Sequence, residues 1–209
     1  EDECMVAVRA ADEHRGVLAG AAAAAEFDAR AEAQQVGDER LDRARQAIAG
    51  HAVEEVRHRG SAANFPMPEL HGVLANIPVL QRSAAYSGHI NADPDFDGTL
   101  RRASLVHRYD GRYYPALSVQ IARALAGDHR LILHTEPYGI AGLEIGGRVV
   151  PTDEQGRLLV LYRGPGQTVA TVSVADILGG RADPALLRDR AVLIGATATA
   201  IGDIRVTPY

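Results

Sequence analysis

The chain has 209 residues, 46% of them hydrophobic, which is enough apolar material for the core of one globular domain. Its 22 basic residues are all arginines, so the lysines of phosphate loops, kinases and Schiff-base enzymes are excluded together. A net charge of −5 argues against a general nucleic-acid binder. The single cysteine, Cys4, excludes an internal disulfide and a cysteine-based zinc site.

The N-terminal part, residues 1 to about 84, is rich in alanine and in charges of both signs, and this composition predicts mainly helix. Asp38–Ala49 has apolar residues at helical spacing, and Gly50 is its expected end. Ser61–Pro68 contains two prolines and is predicted to be a loop. No run of 18 or more apolar residues occurs, so we expect no transmembrane helix within this chain.

From Ala84 onward, short strands with tight turns are predicted. Arg101–Tyr109 and Arg112–Tyr114 flank Asp110-Gly111, the strongest short signal for a hairpin. A helix is expected to begin at Pro115, to carry Leu117, Ile121 and Leu125 on one stripe, and to end at Gly127. Further strands and turns are predicted at Leu143–Ile145, Gly146-Gly147, Arg148–Val150, Asp153–Gly156 and Arg157–Tyr162.

The C-terminal part predicts a parallel crossover. Ser173 and Asp183 are expected to cap two short helices within residues 163–190, which separate the strand ending at Tyr162 from a buried strand at Ala191–Ile194. The predicted fold class is α/β, a mixed sheet with β-hairpins, flanking helices and a C-terminal βαβ crossover.

Asp93–Gly98 places three aspartates at alternate positions, as a calcium loop of the EF-hand type does. Calcium is disfavoured because the twelfth position is Ser104 instead of a glutamate. Two arginines follow, so the favoured interpretation is a surface salt-bridge cluster, and the alternative is a site for a small anionic or polar ligand. The candidate ligand contacts are Asp93, Asp95, Asp97, Arg101 and Arg102.

A second candidate site is the loop Gly195–Pro208, at the predicted carboxyl end of the last strand, where open α/β sheets hold ligands. Its candidate contacts are Gly195, Thr197, Gly202, Asp203 and Thr207. The glycines are seven apart and no lysine is present, so this is not a phosphate loop, and the polar side chains could equally cap the loop itself. His51 and His58 would share one helical face, but no metal or catalytic motif includes them, and neither a metal nor a cofactor is expected.

Three segments together resemble the second type of CHASE sensor domain. They are Ser87–Asn91 continuing through Asp93–Arg102, the hairpin and helix start at Tyr109–Leu117, and Tyr162–Gly166 continuing through Gly195 to Thr207-Pro208. The resemblance covers roughly residues 68–209. Residues 21–64 are predicted to be helical and an insertion, and the N-terminal part of the family pattern is expected to be absent.

The resemblance implies that residues 1–209 form one extracellular or periplasmic sensor domain of a bacterial transmembrane receptor, tethered by segments outside this chain. It implies an unknown small-molecule or peptide signal, a homodimer in the receptor, and an output enzyme elsewhere, either an adenylate or guanylate cyclase or a histidine kinase. No nucleic-acid partner is expected, because of the net negative charge. The chain itself is then not an enzyme. Two alternatives stay open: a soluble α/β enzyme with its site at Gly195–Asp203, and a ligand-free dimerisation module.

Overall fold

The computed structural model describes residues 4–9, 17–22, 38–59, 67, 69–127, 130–164, 168–188, 190–195 and 207–208, with the backbone alone for 4–9, 17–22 and 38–41. The strands are β1 Cys4–Arg9, β2 Val17–Ala22, β3 Glu55–His58, β4 Glu69–Leu70, β5 Ala84–Tyr86, β6 Arg102–Ser104, β7 Val106–Tyr109, β8 Arg112–Pro115, β9 Leu131–Glu136, β10 Gly139–Ile145, β11 Arg148–Pro151 and β12 Arg157–Leu159. The helices are α1 Asp38–Ile48, α2 Pro78–Ser83, α3 Leu117–Ala126 and α4 Val174–Leu178, with short 3₁₀ helices at Ala49–His51 and Pro184–Leu186.

The strands form four small sheets. The largest has the order β11-β10-β9-β3, in which β9 pairs antiparallel with β10 and parallel with β3. The others are β1-β2-β5, β4-β7-β8 and the pair β12-β6. Both parallel and antiparallel pairs occur, so the predicted mixed α/β class is confirmed.

The core lies where β9, β10 and the β7–β8 hairpin meet α3. Leu131, Leu133 and Leu143 are fully buried on β9 and β10, and Val106 on β7 is 1% exposed. The core cluster comprises Met67, Leu105, Val106, Ala116, Val119, Leu131, Leu133, Ile140 and Leu143. Burial of apolar surface of this kind is the main favourable contribution to folding.

The predicted turns are confirmed. Asp110 and Gly111 have φ of 51° and 70°, as the primed turn of a two-residue hairpin needs. Gly127 has φ of 71° and ends α3 in the left-handed conformation. The side chains of Ser173 and Asp183 accept backbone N–H bonds at 3.2 and 2.9 Å, so both predicted caps form.

Residues 1–84 depart from the mainly helical prediction. Only α1, the 3₁₀ helix and α2 are helical among the described residues there, and five strands fall wholly or partly in the same part. Glu55–His58 is a strand because it completes the large sheet beside β9. His51 therefore does not share a helical face with His58, since the first lies in a 3₁₀ helix and the second in a strand.

The buried face of α3 also differs from the predicted stripe. Leu117 is buried, but Leu125 is 55% exposed, whereas Val119, Gln120, Arg123 and Ala124 are buried. The spacing of apolar residues does not predict this face, because two of its residues, Gln120 and Arg123, are polar and form hydrogen bonds inside the protein.

The predicted strand at Ala191–Ile194 is wrong. These residues form no strand, and Leu193 and Ile194 are 65% and 40% exposed. The second strand of the C-terminal βαβ crossover is therefore missing from the described residues. The apolar run has no partner strand there, and a strand needs a ladder as well as an apolar sequence. None of the described helices is both long and apolar enough to cross a membrane.

Gly88 brings the backbone after β5 against the beginning of α3. A Cβ placed on Gly88 would lie 2.5 Å from the backbone nitrogen of Leu117 and 2.6 Å from its Cα. The neighbouring backbone forms two bonds across this contact, from His89 N–H to Pro115 O at 3.0 Å and from Leu117 N–H to His89 O at 2.8 Å. Only glycine fits so close an approach without moving the backbone.

We expect Gly88→Ala to lower the free energy of unfolding by about 1–3 kcal/mol, because the methyl group overlaps backbone atoms that cannot rotate away. Chemical denaturation measures this change. Gly50→Ala is the matched control, since a Cβ at Gly50 meets no atom within 4 Å, and it should stay within about 0.5 kcal/mol of the parent. Equal effects of the two substitutions would contradict the close approach.

Candidate functional site

The aspartate–arginine turn, residues 93–102, is closed by its own hydrogen bonds. The N–H of Asp95 donates to Thr99 O at 3.0 Å, and the N–H of Gly98 donates to Asp95 O at 2.8 Å. Gly98 has φ of 79°, a conformation that favours glycine. The turn leads directly into β6, so its charged side chains stand at the beginning of a strand.

The carboxylates of this turn face arginines. Asp97 accepts two bonds from the Arg101 guanidinium, at 2.9 and 2.8 Å, and Asp95 contacts both Arg101 and Arg102 at 3.2 Å. The hydrogen bonds from Arg101, and then the backbone N–H of Thr99, hold the pKa of Asp97 well below its ordinary value. No group of three potential metal-binding side chains occurs in the described part of the chain. The arrangement is the salt-bridge cluster that the sequence analysis favours.

Asp93 is separate from this cluster: its side chain is exposed, but one carboxylate oxygen approaches β6 and β7. Its Oδ2 accepts a long hydrogen bond from Ser104 Oγ at 3.4 Å and lies 3.7 Å from Nε2 of His107. The structure therefore divides the five candidate residues of the turn: four neutralise one another, and one approaches a buried histidine.

His107 belongs to a pair of histidines that the sequence analysis does not identify. The rings of His89 and His107 pack edge to face with their centroids 4.3 Å apart. Both ring nitrogens of His89 and the Nε2 of His107 are shielded from solvent and have no hydrogen-bond partner among the described residues. Buried polar atoms of this kind are rare and costly, so the histidine pair is the least satisfied polar feature of the core.

Backbone contacts place the two rings together. His89 is fixed by its bonds to Pro115 and Leu117, while His107 lies on β7, whose neighbour Val106 is paired with Pro115. The two histidines are 18 residues apart on different elements, so neither spacing nor periodicity could have predicted the pair. The sequence contains only an indirect signal for the pair: Gly88 allows the close approach of the backbone to α3, and His89 is the next residue.

Burial is the main cause of the electrostatic state of the pair. Burial first, and then the charge of a protonated His107, lower the pKa of His89 from 6.5 to about 3. Burial also lowers the pKa of His107, which the nearby Asp93 carboxylate partly offsets. Both imidazoles are therefore neutral at pH 7.

The second candidate site, the C-terminal loop, is described at its two ends. Gly195 is exposed, and a Cβ added there would meet no atom within 4 Å. Thr207 is half-buried. Thr197, Gly202 and Asp203 lie outside the described residues.

In a comparison with known families, the CHASE2 domain matches residues 14–209 of this chain. The match begins well before the three segments that carry the resemblance in the sequence. No curated protein and no solved structure matches the chain significantly.

The histidine pair predicts that the protein loses stability in acid. Unfolded histidines take up protons near pH 6.5, whereas His89 stays neutral in the folded protein down to about pH 3. The unfolded state binds more protons between these values, so the free energy of unfolding falls as the pH falls through this window. The slope for one such group is on the order of 1.4 kcal/mol per pH unit.

Denaturation of the parent and of His89→Gln at pH 7.5, 6.0 and 4.5 measures this slope. We expect a flatter dependence for His89→Gln, because its side chain does not titrate. His71→Gln, at an exposed position, is the control and should keep the parent slope. The explanation fails if His89→Gln and His71→Gln have the same pH dependence.

Proposed function

The chain belongs to the CHASE2 domain family, and from this membership we propose that it is the extracellular or periplasmic ligand-sensing domain of a bacterial transmembrane receptor. CHASE2 domains are sensory modules of signalling receptors. The observation that carries the proposal is the family match over residues 14–209. The sequence supports it, since no nucleophile, metal or lysine motif assembles a catalytic site.

The receptor's output enzyme lies outside this chain in our proposal. An adenylate or guanylate cyclase is the first choice and a histidine kinase the second, since both accompany the family that the three sequence segments resemble. Reading the parent gene beyond Tyr209 separates the candidates. Hydrophobic helices followed by a cyclase or kinase domain would support the receptor, and a nearby stop codon would favour a soluble protein.

A signal would act by binding one arrangement of the sensor, in our proposal a homodimer, more tightly than another. A ligand shifts an equilibrium only by the difference between its affinities for the two states. The aspartate–arginine turn and the C-terminal loop remain proposed contact regions for this signal. A ligand at the turn would have to displace the salt bridges of Arg101 and Arg102, so a polar molecule carrying both charges is the best fit there.

The rival soluble enzyme makes a different prediction for the isolated chain. Turnover in a hydrolase or transferase screen, lost on substitution of Asp203, would favour the enzyme and count against a purely sensory domain. Thermal-shift screening with metabolites, metals and peptides tests the ligand-free dimerisation module, because a ligand that binds only the folded state raises its stability.

Membrane topology gives a direct test in the full receptor. We expect Phe96→Cys, in a Cys4→Ala background, to react with a membrane-impermeant maleimide on intact cells, because Phe96 is fully exposed. Val106→Cys is the matched control, since Val106 is 1% exposed and should react only after denaturation. Labelling of Phe96→Cys only after cell lysis would place the domain on the cytoplasmic side and contradict the proposal.

A further inference from the structure

An open cleft separates the Ala49–His51 turn and β3 from the tip of the β7–β8 hairpin. One backbone bond spans its base, from the N–H of Val53 to Tyr113 O at 2.8 Å. Its volume is about 500 Å³, within the range of small-molecule sites in proteins. The lining residues are of two kinds: small or apolar at Ala49, Gly50, Ala52, Val53, Val56, Gly111 and Tyr113, and polar at Glu54, His58 and Arg112.

The negative charge in the cleft wall is already neutralised. Glu54 Oε1 accepts a hydrogen bond from the buried guanidinium of Arg123 at 2.5 Å, and its Oε2 accepts the backbone N–H of Leu131 at 2.9 Å. Both carboxylate oxygens are thus bound from the protein side. Glu54 therefore contributes little negative field to the cleft.

Arg112, unlike Glu54, is a charged cleft residue without a salt bridge in the described structure. It is exposed, and its guanidinium forms neither a salt bridge nor a hydrogen bond within the part of the chain that the structure describes. The arginines of the turn at residues 93–102, by contrast, are bound to aspartates. A guanidinium presents paired donors that match a carboxylate, and Arg112 lines a cleft whose surface is partly apolar and partly polar.

The remaining polar group is held in a fixed position. The Nδ1 of His58 lies 2.7 Å from the Thr135 hydroxyl, which orients the imidazole at the cleft wall. Arg112 is then the arginine of the cleft wall, and its guanidinium forms no salt bridge with a described carboxylate. One such charge suits a monoanion, whereas a phosphate dianion would call for at least two. Val53, Val56 and Tyr113 provide apolar surface for a short hydrocarbon group.

We propose that this cleft is a binding site for a small organic monocarboxylate, with Arg112 binding the carboxylate and the apolar wall binding the hydrocarbon part. As the signal of a receptor this ligand rests on the sensory function proposed above, whereas binding itself is measured on the chain alone. Glu54 in the cleft wall forms a salt bridge with Arg123 of α3, so a ligand in the cleft would contact a residue that is bound to this helix.

Titration of the ¹⁵N-labelled protein with butyrate and benzoate, at constant ionic strength, tests the site. Butyramide and benzamide are the matched neutral probes, since they keep the hydrocarbon part and lack the charge. We expect saturable shifts of the Gly50 and Gly111 amide signals with the carboxylates, and binding of the amides at least about ten-fold weaker. Equal binding of acid and amide, shifts confined to other residues, or no saturable shift with either acid would overturn the proposal.

Arg112→Gln should weaken carboxylate binding about ten-fold and leave amide binding unchanged. Arg148→Gln, at an exposed arginine on another hairpin, should bind as the parent does. Unchanged carboxylate binding by Arg112→Gln would also overturn the proposal. If Arg112→Gln does not fold, the comparison of acid and amide binding to the parent protein tests the proposal by itself. Binding without any response of the full receptor would preserve the site and count against the sensory function instead.

Discussion

The approach of the Gly88-His89 backbone to the beginning of α3 is the contact on which the candidate site depends. Two backbone bonds cross it, and the amide of Gln120 adds a third through Ser87 O at 2.8 Å. Because Pro115 is paired with Val106 in the hairpin, whatever is fixed against Pro115 is also placed beside β7. His89 is brought against His107 in this way, and Asp93 follows a few residues later at the edge of the same contact.

This arrangement has an energetic cost that the surrounding core must offset. Three ring nitrogens lie buried without hydrogen bonds in the described structure, and each such atom loses its interaction with water. Leu131, Leu133 and Leu143 are each fully buried, and burial of a single large side chain contributes about 1.5–3 kcal/mol. The core is thus able to hold the neutral pair, and its stability becomes sensitive to protonation.

Features fixed by two to five neighbouring residues could be predicted from the sequence, and those fixed by distant contacts could not. The Asp110-Gly111 turn, the end of α3 at Gly127 and the cap at Ser173 follow from the chemistry of the residues themselves. The strand predicted at Ala191–Ile194 rests on an apolar run and does not form, since pairing depends on a partner strand elsewhere in the chain. The strand β9 is missing from the predicted elements although four of its six residues are buried.

The same distinction between local and distant contacts applies to the candidate binding residues. The alternating aspartates and the two arginines indicate a charged turn correctly, but charges so close in sequence satisfy one another first. A charge left for a ligand is found instead at Arg112, whose guanidinium forms no salt bridge with a carboxylate of the described residues. The cleft beside Arg112 forms only because residues 49–58 lie opposite the hairpin tip, so the position of this arginine in the cleft wall is a property of the tertiary structure. Dense charge in a sequence therefore favours internal compensation, and binding capacity is better sought at isolated charges beside apolar surface.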